Sequence, residues 1–125
     1  MDENSLSREI IGAAIEVHKI LGPGLLESAY QECLGQEFSL RNISFEREKP
    51  IPIGYKGLRL DCGYRVDFLV ADLVVVELKA VEKILPIHQA QVLTYLKLLN
   101  IKLGILLNFN VPMMKERIKR LVLKL

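Results

Sequence analysis

The chain is predicted to fold as an α/β sandwich around a mixed sheet, on three observations. Two segments of helical period open it, extended β-branched runs follow, and a third helical segment separates the run ending at Lys79 from another beginning at Leu103. A strand, a helix and a second strand in that order normally form a right-handed crossover between parallel strands. The strand of Glu77 and the strand of Leu103 are therefore expected to be parallel neighbours. The two runs joined through Ala71-Asp72 read instead as a tight antiparallel hairpin, so the sheet is mixed. The first two helices are expected on one face and the third on the other.

In order, Ser5 or Ser7 is expected to cap a helix whose apolar residues Ile11, Ala14 and Ile15 recur at helical spacing, and Gly22-Pro23-Gly24 to end it. A second helix is expected from Leu25 to Arg41, with Asn42 as its stop. Ser44–Ile53 and Leu58–Asp61 read as extended, with a turn over Gly54–Gly57; Pro50 and Pro52 favour a sheet edge. The third helix should begin near Pro86 and end near Asn100, followed by a strand over Leu103–Phe109; the tail from Lys115 to Leu125 fits a helix or a strand, and a strand from Ile118 is preferred. At 125 residues the chain suits one domain, residues 1–125, with enough length for a core of its own.

The central hairpin carries charges where none belong. Val66, Phe68, Leu69 and Val70 surround Asp67, and Leu73 to Val76 lead into Glu77-Leu78-Lys79. A three-residue loop sets Asp67 directly opposite Glu77, and a two-residue loop leaves them diagonal. Residues two apart on a strand share a face, so Lys79 stands beside Glu77. Opposed carboxylates repel, and a hard divalent cation such as Mg²⁺, which takes one or two carboxylates plus water and phosphate, removes that penalty. The competing reading of these residues is an ion pair between Glu77 and Lys79 near a sheet edge.

Two other segments bring polar groups to the same region. Glu27 shares a helical stripe with Tyr30, Leu34 and Phe38, which directs it to the core side. His88, Gln91 and Tyr95 share another with Val92 and Leu99. Polar groups on apolar stripes need partners, and a pocket over the carboxylates can provide them.

Composition excludes several classes. Half the residues are hydrophobic and the formal net charge is +2, too small to demand nucleic acid by itself. Lys115, Arg117, Lys119, Arg120 and Lys124 crowd the C-terminus against Glu116, a basic cluster able to meet phosphate. No apolar run is long enough to span a bilayer, and the acidic start lacks the features of a secretory leader. Cys33 and Cys62 are expected to be buried free thiols, and His18 and His88 are not spaced as a zinc motif; a cytoplasmic protein without membrane association is expected. Self-association as a homodimer, or an unknown protein partner, would enlarge the surface of so small a domain.

Gly24-Leu25-Leu26-Glu27-Ser28-Ala29-Tyr30 resembles the GxxExxY signature of a family of small prokaryotic proteins within the PD-(D/E)XK nuclease superfamily. The likeness continues through Val17-His18-Lys19, Tyr64-Arg65-Val66-Asp67, Val76-Glu77-Leu78-Lys79, His88 and Asn108-Phe109. Gln91 to Tyr95 resembles the QxxxY element of the RecB-like branch. The resemblance implies a restriction-endonuclease-like three-layer sandwich and a metal-dependent nuclease, acting on DNA through a Mg-bound water and leaving a 5′-phosphate. It implies that Asp67, Glu77 and the backbone carbonyl of Leu78 hold Mg²⁺ or Mn²⁺, with Glu27 assisting, in one version through water. Lys79 would activate the nucleophile, and Gln91 and Tyr95 would position the lysine or the phosphate; His88 and Tyr30 stand as accessory residues. Val66 occupies the place of the superfamily's proline. The alternative is a catalytically silent nucleic-acid-binding or protein-interaction module on the same fold.

Overall fold

Alternate residues of the apolar runs face opposite sides of one sheet, and each side carries its own helices. The computed structural model describes residues 1–113 and 118–123. In chain order the elements are α1 (Glu3–Leu21), α2 (Glu27–Leu40), β1 (Phe45–Pro50), β2 (Ile53–Tyr55), β3 (Leu58–Leu60), β4 (Arg65–Val70), β5 (Val74–Lys79), α3 (Pro86–Leu99), β6 (Leu103–Asn108) and β7 (Ile118–Val122). Five strands form a sheet in the order β1-β4-β5-β6-β7, while β2 and β3 pair as a separate hairpin. Pairing is antiparallel except between β5 and β6, which are parallel across α3 as expected.

One face of the sheet packs Phe68, Val70, Val76, Ile105 and Leu107 against Ile10 and Ala13 of α1 and Leu34 and Phe38 of α2. The opposite face packs Val66, Leu69, Val75 and Leu106 against Val92, Tyr95 and Leu96 of α3. The result is a three-layer sandwich. Pro50 lies on β1, an edge strand, where a missing N–H is tolerated.

Several boundaries differ from expectation for local reasons. Asp2, not Ser5 or Ser7, caps α1: its carboxylate accepts from the Ser5 amide at 2.7 Å, and Ser7 is buried. The turn expected over Gly54–Gly57 is narrower, because Gly54 and Tyr55 pair with Arg59 and Leu58, leaving Lys56 and Gly57 at positive φ as a two-residue hairpin loop. Asn42 and Asn100 both adopt positive φ just beyond their helices, as stop residues do. Both cysteines are free, but neither is buried: Cys33 is half-buried and Cys62 exposed. In the C-terminal basic cluster, Lys115, Glu116, Arg117 and Lys124 lie outside the described residues, and the described Arg120 bonds Asn4 at 3.0 Å. Among the described residues no helix is long and apolar enough to cross a membrane.

Close approach of α3 to the sheet depends on Gly104. A Cβ there would lie 2.8 Å from Val92 Cγ1 and 3.4 Å from the Leu96 methyls. Val92 and Leu96 are buried, and Val92 is stiff at χ1, so neither yields freely. Gly104→Ala is expected to cost about 1–3 kcal/mol by overpacking; an unchanged urea midpoint would refute this.

Candidate active site

The β4–β5 hairpin decides where its charges meet. Val70 pairs with Val74, Leu69 with Val75 and Phe68 with Val76, so the loop is the three residues Ala71-Asp72-Leu73, with Ala71 and Asp72 at positive φ. One step further along this register, Asp67 stands opposite Glu77. There the backbone ladder stops and side chains replace it. The Asp67 amide donates to Glu77 Oε1 at 2.7 Å, and the Leu78 amide donates to Asp67 Oδ2 at 2.8 Å. Residues 74 and 76 direct their backbone polar groups towards β4, and alternation directs the Leu78 carbonyl the same way.

Two strands also break alternation at one level. On β1, Phe45, Arg47 and Glu48 all reach towards α2; on β4, Phe68 packs against α2 and its neighbour Asp67 bonds to it. The register is nevertheless the same on either side, with Arg47 opposite Phe68 and Lys49 opposite Val66. Glu48 accommodates the break at φ 52°, a strain on the order of 1–3 kcal/mol for a residue with a side chain. The consequence is that Glu48 and Asp67 share the α2 side. Gln31 Nε2 joins them, donating to Glu48 Oε1 at 2.7 Å and Asp67 Oδ1 at 2.8 Å, while Arg47 holds the Gln31 carbonyl at 2.8 Å.

Burial disfavours the charged forms of these carboxylates. Glu77 is buried, and desolvation first, then the Asp67 charge, push its pKa up to about 8. Desolvation also raises Asp67, with opposition from its bonds to the Leu78 amide and Gln31. Lys79, half-buried at the end of β5, lowers Glu77, yet no ion pair joins them among the described residues. The ion-pair reading of Glu77 and Lys79 is therefore not what the side chains do.

Glu27 is exposed at the first turn of α2, not turned into the core. Its carboxylate nevertheless reaches the Ala80 amide just past β5, at 3.2 Å, and its charge acts on both Asp67 and Glu77. Tyr95 is buried on the α3 side, its hydroxyl pushed up by burial and then by Glu77; Gln91 is half-buried one turn earlier. His88 is spent locally: its Nδ1 accepts from the Leu85 amide at 2.9 Å at the start of α3. Tyr30 is fully buried, stacks on Phe109 at 4.5 Å, donates to the Gly22 carbonyl at 2.6 Å and accepts from the Leu25 amide at 3.1 Å. It braces the α1–α2 turn and so fixes where α2 and Glu27 begin.

Gln31 and Glu48 complete the arrangement and escape a reading by residue type, and Asn108, part of the family likeness, completes it without having been given a role. Asn108 donates to the Val81 carbonyl at 2.8 Å and accepts from the Val81 amide at 3.2 Å, pinning the chain just after Lys79. Gln31 stands four residues after Glu27 and three before Leu34, so helical spacing could have found it. Glu48 has no such signal, lying in the charged run Glu46–Lys49 of an edge strand.

The donors suit a hard cation. Asp67 and Glu77 offer carboxylate oxygens and Leu78 a carbonyl, and the repulsion raising Glu77 is what a divalent ion relieves. No group of three His, Cys, Asp or Glu side chains is arranged as a metal cage among the described residues; an ion held by these two carboxylates would take water and substrate oxygens at its other positions.

A family model described as the PD-(D/E)XK nuclease superfamily matches residues 4–121. No curated protein and no solved structure matches the chain.

Proposed function

We propose, from the premise that this chain belongs to the PD-(D/E)XK nuclease superfamily, that it is a divalent-metal-dependent nuclease cleaving phosphodiester bonds in DNA. The observation that carries this reading is the opposition of Asp67 and Glu77, each bonded to the other strand's amide, with Glu77 pushed up to about 8. Asp67, Glu77 and the Leu78 carbonyl hold Mg²⁺ or Mn²⁺, with Glu27 on the rim able to act through water. When bound, the ion supplies Lewis acidity towards the phosphate and lowers the pKa of water. Lys79, at the end of β5, would take the proton of the attacking water as a neutral amine, or steady the resulting hydroxide as an ammonium. Gln91 and Tyr95 orient the phosphate or the lysine from α3, and Gln31 with Glu48 fixes the Asp67 carboxylate. The product carries a 5′-phosphate, and the likeness to the GxxExxY group and to the QxxxY element supports this assignment of roles.

One observation favours a second reading, a silent module that binds without cleaving: both Asp67 oxygens already accept hydrogen bonds within the fold, from Gln31 and from the Leu78 amide. Incubating single- and double-stranded DNA and RNA with the wild type and Asp67→Ala, in Mg²⁺, Mn²⁺ or EDTA, separates the two. Cleavage is expected for the wild type with metal and lost in EDTA and in the variant. Activity that survives unchanged in Asp67→Ala would sink the nuclease reading. Saturable salt-dependent binding with no cleavage would establish the silent module.

A further inference from the structure

A groove of about 330 Å³ lies between α3 and the start of the β2–β3 hairpin, lined in part by Ile53, Tyr64, Ile87, Gln91, Thr94 and Tyr95. It adjoins the β4–β5 hairpin through Tyr95, which packs in one cluster with Val66, next to Asp67, and Val75, two residues before Glu77. Tyr64, just before β4, stays 43 % exposed, with its ring centroid 6.4 Å from that of Tyr95 at 55°. Lys56 and Arg59 of the hairpin and Arg65 beside Tyr64 are exposed, and none has a carboxylate partner among the described residues. An open aromatic in an apolar trough, with exposed Arg59 and Arg65 on the adjoining hairpin and strand and Lys56 over the Tyr55 ring at 5.4 Å, is the combination that single-strand-binding surfaces use. Along the same strand, only Arg65 and Val66 separate Tyr64 from Asp67.

We propose that this groove receives an unpaired nucleobase of the substrate strand, stacked on Tyr64, while the adjoining phosphate lies over Asp67 and Glu77. Thr94 supplies a polar contact to the edge of the base. Lys56, Arg59 and Arg65 meet the flanking phosphates, so the protein selects single-stranded or frayed nucleic acid over closed duplex. In a duplex both faces of every internal base are covered by neighbours, and Tyr64 has nothing to stack on. The placement of the phosphate rests on the nuclease reading; the stacking site itself does not.

The test is binding in EDTA, where cleavage is silent. Fluorescence anisotropy would compare labelled single-stranded DNA, single-stranded RNA and blunt hairpin duplex on the wild type, Tyr64→Ala, Tyr64→Phe and Arg65→Ala. A 2-aminopurine-containing strand would report stacking directly. Expected are tighter binding of single strands than of duplex, a loss of roughly five- to a hundredfold for single strands in Tyr64→Ala, rescue by Tyr64→Phe, and a shallower salt dependence in Arg65→Ala. The DNA and RNA arms tell which single strand is preferred. Equal affinity for single strand and duplex, or single-strand affinity unmoved by Tyr64→Ala, overturns the inference. So does a concentration-dependent dimer abolished by Tyr64→Ala, which would make the groove a contact between two copies. Cleavage dependent on Asp67 with no role for Tyr64 leaves the nuclease reading standing alone, while stacking on Tyr64 without such cleavage leaves only the stacking site.

Discussion

Glu77→Gln is expected to abolish cleavage and, at the same time, to raise the melting temperature of the metal-free protein near pH 8. The two effects have one cause. In the fold, burial and the Asp67 charge push Glu77 up from 4.5 to about 8. A carboxyl raised on folding binds more protons in the native than in the unfolded state between those two values, so stability is full below about 4.5 and falls as pH rises through about 8. The loss at full expression is of the order of 5 kcal/mol by linkage, shared with the coupled Asp67. Glutamine keeps the acceptor for the Asp67 amide without the charge, so the pH-dependent loss should flatten in the variant. A bound Mg²⁺ or Mn²⁺ offsets the same repulsion, and in the wild type its affinity should climb with pH up to about 8 as the proton on Glu77 is displaced. If Glu77 is the metal ligand proposed above, its loss is expected to lower the rate by at least about 10³-fold. Thermal melts from about pH 4 to 9, with and without metal, check the assignment. A variant that melts lower than the wild type at about pH 8, or that loses stability with the same pH slope, would contradict it.

Lys79→Ala is the second large effect, and it should separate chemistry from metal binding. The ammonium forms no ion pair among the described residues, and its backbone is held in place, with its carbonyl accepting from the Phe109 amide at 2.9 Å. Removing the side chain should therefore leave the fold intact. A group that moves or steadies a proton typically contributes about 10² to 10⁴ in rate, and the variant should lose that much in kcat. Because Lys79 lowers Glu77, its removal should also make the metal compete against a more firmly held proton, weakening affinity more at about pH 7 than at pH 9. Calorimetric metal titration at both pH values, beside single-turnover cleavage, distinguishes these effects. Equal losses in metal affinity and rate at every pH would make Lys79 a structural contributor to the metal site only.

Much of the architecture was legible because it rests on local rules. The order of helical and β-branched segments, the crossover through α3, the edge position of Pro50 and the stops at Asn42 and Asn100 follow from periodicity, chirality and backbone sterics, and the sheet is arranged accordingly. The opposition of Asp67 and Glu77 was legible only up to loop length. Where local rules misled, a neighbour intervened: Asp2 reached the Ser5 amide before either serine could act as cap, and Glu27, on an apolar stripe, sits too near the helix start to be buried by it.

By itself the sequence determined a mixed α/β sandwich and the pairing of two charged residues within its central apolar hairpin, since hydrophobic period and crossover handedness are properties of the chain. Only the tertiary structure decided which other side chains reach them. The simultaneous break of alternation at Glu48 and Asp67 turns both carboxylates to α2 while leaving the register unchanged, and Gln31 then bridges them. Asn108 clamps Val81 from a strand 27 positions away. A positive φ on an edge strand and hydrogen bonds between a strand and a distant loop leave no periodic trace, because they depend on how two surfaces meet rather than on the pattern of either.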